Sequence, residues 1–454
     1  MDIDSLLKPF QHFGVHLGLE RIIKLLANLG NPHHQVPVIH VAGTNGKGSV
    51  CAYLSSVLTE AGYRTGRYTS PHLVDWTERI CLDEKAIASE NLCQLLLQVQ
   101  SAISLQEESP TQFEVITSAA WLYFAQQKVD VAVVEVGLGG RLDATNVCEK
   151  PLVTVITSIS REHWQQLGPT VADIAREKAG ILKSGCPAVI GQLPPDAEKV
   201  VRARIQELGC PVYIPQPSRE IATGWAEYLG EAGEQGSRGE GGEKDPTPNS
   251  SIKYPLPLQG QIQLANSALA LTALKILQNA SWEKITEAVI VNGMAKTRWL
   301  GRMQWTTWRN HKLLIDGAHN PAAAKVLRDY VDNSIPPFSP SHHERGGGNE
   351  ITPQHSMSWV MGMLRTKDHA DIFRALLRSN DQLYLVPVPD NNSANPNELA
   401  KLAREICPDL SISRAYPNLS SALEAAFTPN DNLVVLCGSL YLIGHFLSKL
   451  GVRS

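Results

Sequence analysis

The stretch VIHVAGTNGKGSV, residues 38–50, decides the fold of this 454-residue chain. A β-branched run leads into three glycines within six residues, with a lysine and a serine among them. The apolar run predicts a buried strand, and the apolar spacing after Lys47 predicts a helix. Glycines let backbone N–H groups approach phosphate oxygens closely, and the helix N-terminus favours an anion at the same place. The stretch therefore predicts a phosphate-binding loop.

Within this loop, Lys47 is placed to reach the β- and γ-phosphates of a nucleoside triphosphate, and Ser49 to approach magnesium. The spacing departs from the common G-x-x-x-x-G-K-[ST] pattern, because Val41 stands where the first glycine belongs and Gly48 separates the lysine from the serine. The alternative is an ordinary glycine-rich turn, which needs neither the lysine nor the serine. The residues predicted to bind the nucleotide are Thr44, Asn45, Gly46, Lys47, Gly48 and Ser49.

Composition excludes several other classes of protein. The formal net charge of -4 gives no sign of a nucleic-acid partner or of binding to an anionic membrane surface. The eight cysteines are scattered without a C-x-x-C pair, which indicates reduced thiols. The acidic N-terminus lacks the features of a secretory leader, and the longest apolar run, LVVLCGSLYLIGHFL, is shorter than the roughly 20 residues of a membrane span. We expect a cytoplasmic protein.

Apolar runs that do not alternate recur along the chain, with helical patterns between them. Such runs are typical of central strands in a parallel sheet covered on both faces. We therefore expect an α/β fold: a doubly wound, mostly parallel sheet domain with the P-loop at residues 1–298, and a smaller Rossmann-like α/β domain at 299–454. Residues 230–251 and 336–356 are poor in apolar side chains and are predicted to be mobile inserts. The predicted strand segments are VPVIHVAG, VDVAVVEVG, LVTVITSIS, PAVIG, KLLIDGA, MSWVMGM, QLYLVPV and NLVVLCG.

Several polar residues follow predicted strands, where open α/β sheets bind ligands. Glu135 interrupts an apolar run, so it is either a magnesium ligand or a glutamate paired within the core, for example to Arg141. Spacing alone favours a packed or capping role for His163 and a surface position for Lys178. Asp316 in LLIDGAHNP would hold a ribose or a metal, or cap the next helix.

Taken together, these motifs resemble the folylpolyglutamate synthase/dihydrofolate synthase family of the Mur ligase superfamily. The resemblance spans nearly the whole chain, and SPHLVDWTERI and GLGGRLDATN point to the folate branch. The motifs that carry it, in order, are GLERI, GTNGKGS, SPHL, GLGGRLDATN, EKAGI, DGAHNP and GSLYLIG.

The resemblance implies roles that the residues alone do not establish. It implies two magnesium ions held by Ser70, Glu135 and His163, and a carbamylated lysine at Lys178. It further implies that Asn266, Arg302 and Asp316 contact ATP between the domains, and that His319 lies near the transferred phosphate. The catalytic residues would be Lys47, Lys178 and His319, and the residues of the pterin site would be Thr111, Phe113, Glu114, Leu142, Asp143 and Ala144.

The implied reaction is ATP-dependent addition of L-glutamate to 7,8-dihydropteroate, to a folate, or to both, through an acyl phosphate, by a monomer. Three departures from the family pattern could shift substrate preference: Glu162 in place of an aspartate, Gln304 in place of a glutamate, and no histidine before the glutamine of GQIQLAN. The alternatives are a Mur-type ligase with a UDP-sugar acceptor, and a P-loop switch or non-catalytic nucleotide-binding homologue. A GTPase is disfavoured because RTKDHA puts Asp368 one place too early for a guanine reader.

Overall fold

A computed structural model of the chain describes residues 2–13, 16–104, 106, 108–230, 251–334, 357–389, 392–428 and 433–451. The inserts predicted at 230–251 and 336–356 fall outside these ranges, apart from residues 230 and 251 themselves. The chain divides into two compact units: residues 1–258 with 262–299 form unit 1, and residues 259–261 with 300–454 form unit 2. Within the described ranges, no helix has the length and apolar character needed to cross a bilayer.

Unit 1 alternates strands and helices over most of its length. Its strands are β1 (Val38–Ala42), β2 (Thr65–Tyr68), β3 (Ile80–Leu82), β4 (Lys85–Ala86), β5 (Val131–Glu135), β6 (Val153–Ile156), β7 (Ala188–Ile190), β8 (Val212–Tyr213), β9 (Arg219–Ala222), β10 (Trp225–Tyr228) and β11 (Ile252–Pro255). Its helices are α1 (Ile3–Leu7), α2 (Glu20–Asn28), α3 (Lys47–Glu60), α4 (Ser89–Ser101), α5 (Gln112–Gln126), α6 (Trp164–Leu167), α7 (Val171–Lys178), α8 (Pro195–Leu208), α9 (Ile262–Asn279) and α10 (Glu287–Lys296).

Unit 2 repeats this alternation on a smaller scale. Its strands are β12 (Gln304–Trp308), β13 (His311–Ile315), β14 (Ser358–Met361), β15 (Gln382–Leu385), β16 (Ile412–Ala415) and β17 (Val434–Cys437). Its helices are α11 (Pro321–Ser334), α12 (His369–Leu376), α13 (Pro396–Ile406), α14 (Leu419–Phe427) and α15 (Leu440–Lys449).

The main sheet of unit 1 has the order β4-β3-β2-β5-β1-β6-β7-β8 and is parallel from β2 to β8. β1 therefore lies between β5 and β6, with Val41 beside Glu135 and Ala42 beside Ile156. This order brings the loops that follow three strands to one edge of the sheet. The unit 2 sheet has the order β12-β13-β17-β14-β15-β16 and is parallel except for β12, so the predicted fold class is confirmed. An antiparallel sheet, β11-β10-β9, was not predicted.

Helix α3 is buried along nearly its whole length, from Ser49 to Leu58, whereas its spacing predicted a single apolar face. The main sheet covers one side of this helix, and α9 and α10 cover the other. Side chains alternate across β1, so Ile39 and Val41 belong to the core around α3. Val38 belongs to the core on the opposite face of the sheet.

A buried ion pair holds the sheet of unit 2 to α11. Arg328 Nη1 lies 2.7 Å from Asp381 Oδ2, and both side chains are almost fully buried. The same carboxylate accepts from Trp359 Nε1 at 3.0 Å and from the backbone N–H of Met357 at 3.0 Å. Arg328 also pairs with the exposed Asp332, at 2.8 Å, so Asp381 supplies the buried part of its charge balance. Removing the Asp381 charge leaves the buried donors of Arg328 and Trp359 facing a neutral side chain.

Asp381→Asn is expected to lower the free energy of unfolding by about 2–3 kcal/mol, because hydrogen bonds to a buried charged group are worth about that much. Urea unfolding followed by circular dichroism measures the effect. Asp371→Asn is the matched control, since Asp371 pairs with Arg374 in solvent at 2.6 Å and contributes little. Equal midpoints for the two variants would contradict the assignment.

Candidate functional site

The loop between β1 and α3 is too tightly packed for side chains at its glycines. A Cβ atom at Gly43 would collide with Thr157, and one at Gly48 would collide with the ring of Trp299. Gly46 has φ +90° and lies against the side chain of Asn266. The three glycines therefore satisfy local packing as well as any need for backbone N–H groups near a phosphate.

The residues that follow β6 hold the loop in place by hydrogen bonds. Thr44 donates its backbone N–H to Ser158 O at 2.7 Å and its hydroxyl to Ser160 O at 3.2 Å. The backbone N–H of Asn45 donates to Ser158 Oγ at 3.1 Å, and Thr157 Oγ1 donates to Asn45 O at 2.6 Å. The sequence predicted a strand through TSIS, but β6 ends at Ile156 and these hydroxyls anchor the loop instead. The run of small hydroxyl residues after the strand is the sequence feature from which this anchoring role could have been predicted.

Lys47 and Glu135 lie next to each other at the edge of the sheet. Lys47 Nζ donates to Gly43 O at 3.1 Å and to Thr44 O at 3.2 Å, and lies 3.9 Å from Glu135 Oε1. Glu135 Oε2 accepts from the backbone N–H of Ser70 at 3.3 Å. The suggested pairing of Glu135 with Arg141 is wrong, because Arg141 pairs with Glu177 at 2.9 Å.

Lys178 is buried, so the prediction of a surface lysine is wrong. Helix α7 directs its ammonium group to the loop between β1 and α3, where Nζ donates to Gly43 O at 2.7 Å. Burial, followed by repulsion from Lys47, lowers the pKa of Lys178 to about 7, while Glu162 and Asp143 act in the opposite direction. A large fraction of this amine is therefore neutral near pH 7.

His163 occupies the residue before α6, with φ 50°, and its backbone carbonyl accepts from Leu167 N–H at 3.0 Å. Its ring Nε2 lies 3.7 Å from Glu162 Oε1, and Glu162 is close enough to Lys178 to raise its pKa. In the described residues, no three His, Cys, Asp or Glu side chains gather into a metal-binding group. Beside the loop, the Glu135 carboxylate is held by the backbone N–H of Ser70, which brings the side chains of these two residues to the same place.

Helix α9 contributes two amide side chains to the loop. Gln263 Nε2 donates to Ser49 Oγ at 3.3 Å, and Asn266 Nδ2 donates to Gln263 Oε1 at 3.1 Å. Asn266, predicted from the resemblance, thus lies beside Gly46. Gln263 was missed, although it lies one turn before Asn266 on the same helix face.

The residues proposed for the pterin site lie on α5 and on the loop after β5. Thr111 and Glu114 form a capping box at the start of α5, and Glu114 Oε2 also lies 3.1 Å from Arg21 Nε. The ring of Phe113 packs on Gly137, where a Cβ would collide with it, so Phe113 borders the loop that carries Leu142, Asp143 and Ala144. The Asp143 carboxylate is buried and accepts from the backbone N–H of Leu138 at 2.7 Å.

The unit 2 candidates gather after β13. Asp316 accepts from the backbone N–H groups of Met303 and Ala318, both at 2.8 Å, and burial raises its pKa while nearby Arg302 opposes the shift. His319 Nδ1 lies 2.7 Å from Gly317 O. Asp316 does not cap α11; Asn320 Oδ1 accepts from Ala323 N–H there, at 2.8 Å.

Both units of the chain are similar to known proteins. Residues 41–274 match the family model for the Mur ligase middle domain, and residues 301–449 match that for the dihydrofolate synthetase C-terminal domain. The chain is 32% identical to the dihydrofolate synthetase of Saccharomyces cerevisiae over 95% of this chain and 97% of that one.

Solved structures extend the similarity to ligand complexes. E. coli FolC in complex with DHPP and ADP is similar with a TM-score of 0.78 and 30% identity, over 98% of this chain and 96% of that one. A bifunctional folylpolyglutamate synthase/dihydrofolate synthase with Mn, AMPPNP and L-glutamate bound gives a TM-score of 0.79 and 29% identity, over 100% of this chain and 98% of that one.

Proposed function

Because this chain belongs to the folylpolyglutamate synthase/dihydrofolate synthase family and is an ATP-dependent acid–amino-acid ligase, we propose that it joins L-glutamate to 7,8-dihydropteroate, to a folate that already carries glutamate, or to both. The observation that carries this proposal is the convergence of Lys47, Glu135 and Lys178 on the loop between β1 and α3. Such an arrangement suits transfer of a phosphoryl group to a carboxylate.

The reaction needs activation because a carboxylate is a poor electrophile. A carboxylate oxygen of the acceptor attacks the γ-phosphorus of ATP, the bond to the bridging oxygen breaks, and ADP leaves. The amine of L-glutamate then attacks the acyl carbon of the resulting acyl phosphate. The acyl C–O bond breaks, phosphate departs, the amine loses a proton and an amide forms. The protein contributes mainly positioning and charge stabilisation to such steps.

Lys47 supplies positive charge where the phosphate oxygens gain negative charge. Its ammonium group donates to the carbonyls of Gly43 and Thr44. Nucleotide phosphates would take over these hydrogen bonds, and the N-terminus of α3 would add its own partial charge.

A relative in this family binds a divalent cation, and the side chains beside the loop are of types that can bind such cations. Glu135 offers buried carboxylate oxygens, and the hydroxyls of Ser70 and Ser49 and the ring of His163 complete the donors proposed for two magnesium ions. Oxygen donors are those that Mg²⁺ prefers. The bound ions would neutralise charge on the phosphate oxygens.

We propose that Lys178 is carbamylated. Carbon dioxide reacts with a neutral amine, and the lowered pKa of Lys178, about 7, provides that form. Carbamylation replaces a cation beside Lys47 with an anion, which removes the repulsion between the two side chains and adds oxygen atoms near the proposed metal.

The remaining candidates are assigned to substrates. The acceptor site is proposed to consist of Thr111, Phe113, Glu114, Leu142, Asp143 and Ala144. Asp143 and Glu114 would contribute partly by hydrogen bonds that hold the backbone of this site in place. Asn266, Arg302 and Asp316 are proposed to contact the nucleotide, and His319 the transferred phosphate.

We further propose that the enzyme is a monomer. We place it in the cytoplasm, which is a reducing compartment, and propose no nucleic-acid or membrane partner for it. All eight cysteines lie among the described residues and none of them forms a disulfide, which supports the choice of compartment. Light scattering after gel filtration tests the monomer.

An acceptor panel tests the function. Pure protein with Mg²⁺, ATP and L-glutamate is expected to release phosphate only when 7,8-dihydropteroate or a folate is added, with a product heavier by one glutamyl residue in mass spectrometry. Phosphate release with a UDP-sugar peptide acceptor instead would favour a Mur-type peptide ligase. ATP binding without turnover on any acceptor would favour a non-catalytic homologue.

A further inference from the structure

His40 is a buried polar residue in the middle of β1, the strand that leads into the phosphate-binding loop. Its side chain is 0% exposed and lies on the face of the sheet opposite Ile39 and Val41. Both ring nitrogens have partners: Nε2 lies 2.9 Å from Thr145 Oγ1, and Nδ1 lies 3.9 Å from Cys148 Sγ. A buried imidazole with both nitrogens hydrogen-bonded makes the segments that it joins more rigid.

The proton on each atom of this cluster can be assigned from its partners. Thr145 Oγ1 donates its only proton to Asp143 Oδ1, at 2.6 Å. Thr145 Oγ1 must therefore accept from His40, which places the imidazole proton on Nε2 and leaves Nδ1 as an acceptor. Burial raises the pKa of Cys148 to about 11, so its thiol keeps the proton that Nδ1 accepts. Burial also lowers the pKa of His40 to about 3, which keeps the ring neutral.

The chain of hydrogen bonds ends in the loop after β5. Asp143 Oδ1 also accepts from the backbone N–H of Thr145 at 3.0 Å, and Oδ2 accepts from that of Leu138 at 2.7 Å. The carboxylate thus joins the two ends of residues 138–145, the segment that contains Leu142 and Ala144. The orientation of this carboxylate therefore ties the ends of the loop together, and the hydrogen bonds from His40 to Thr145 and from Thr145 to Asp143 support that orientation.

We propose that the hydrogen-bond chain Cys148–His40–Thr145–Asp143 positions the loop that receives the pterin acceptor, with His40 as the Nε2–H tautomer. His40 and Thr145 are positioning residues, since neither is expected to touch the substrate. His40 lies three residues before Gly43, so the same strand holds the nucleotide loop at its end and the acceptor loop through its side chain. The proposal rests on the proposed acceptor site at residues 142–144.

Thr145→Val tests the chain against Thr145→Ser, which keeps the hydroxyl. In Thr145→Val the KM for the acceptor is expected to rise about tenfold, as loss of a buried hydrogen bond predicts. Its kcat and its affinity for a fluorescent ATP analogue should stay within about twofold of wild type, and Thr145→Ser should resemble wild type. His40→Leu is expected to match Thr145→Val, and His40→Gln, whose amide can donate like Nε2–H, should restore most of the acceptor affinity.

A second readout does not depend on turnover. In ¹⁵N-histidine-labelled protein at pH 7, the His40 ring, identified by its absence from His40→Gln, should show a protonated Nε2 and an unprotonated Nδ1. A charged ring or a proton on Nδ1 would overturn the proposal. So would equal acceptor KM values for Thr145→Val and Thr145→Ser, or a parallel loss of ATP-analogue binding. If the wild type turns over no pterin acceptor, the proposed function fails, and the tautomer still decides whether this chain of hydrogen bonds exists.

Discussion

Glu135→Gln is expected to lower acceptor-dependent phosphate release by at least about a thousandfold, which corresponds to about 4 kcal/mol of lost transition-state stabilisation. The carboxylate is buried at the end of β5 and lies 3.9 Å from Lys47 Nζ. An amide of the same shape keeps the packing. It removes the negative charge that balances Lys47, and it also removes the anionic ligand proposed for magnesium. Steady-state phosphate release at saturating ATP, glutamate and acceptor measures the effect.

The matched control is Glu60→Gln, at the other end of α3. Glu60 pairs with the exposed Lys296 at 2.6 Å, and such surface pairs contribute little. Its turnover should remain within about twofold of wild type, and thermal unfolding should show that both variants fold. Near-normal turnover in Glu135→Gln would reject a role for this carboxylate in catalysis.

Lys178→Met is expected to lower turnover by about a hundredfold or more, because the unbranched apolar side chain fills the buried space but cannot form a carbamate. In the wild type, adding bicarbonate to CO₂-depleted buffer should raise turnover. Because the pKa of Lys178 is lowered to about 7, its neutral fraction rises from about one tenth at pH 6 to about nine tenths at pH 8. The activation by bicarbonate should therefore increase with pH over this interval.

Lys199→Met, which removes an exposed lysine of α8, provides the control and should keep both the activity and the response to bicarbonate. Lys178→Met should show no such response at any pH. Wild-type turnover that is indifferent to bicarbonate after thorough CO₂ removal would contradict carbamylation. Lys178 would then act as an unmodified amine that donates to Gly43 O.

Some features could be predicted because they depend on residues that are close in sequence. The turn from β1 into α3 needs its glycines within a few residues of Lys47, so a single quoted stretch contains the whole signal. Glu135 could be singled out because one charge in an apolar run must find a partner. Its partner was not predictable: Arg141 was the nearest cation in sequence, whereas in the structure Lys47 Nζ lies 3.9 Å from its carboxylate and Arg141 pairs with Glu177.

Lys178 shows where sequence reasoning failed. Its helix α7 has charged residues on several sides, so spacing alone suggested a solvent-exposed lysine. The structure places its amine on Gly43 O, which is 135 residues away along the chain. That burial, together with repulsion from Lys47, lowers the pKa on which the proposed carbamate depends.

The sequence by itself determined the parallel α/β architecture, the glycine turn between β1 and α3 and the family, since continuous apolar runs, glycine spacing and ordered motifs are local properties. Tertiary structure alone decided that Gln263 binds Ser49, that Thr157 and Ser158 anchor Asn45, and that His40 reaches Thr145. The physical reason is the strand order β5-β1-β6, which sets segments more than 100 residues apart side by side, and no local pattern encodes which strands become neighbours.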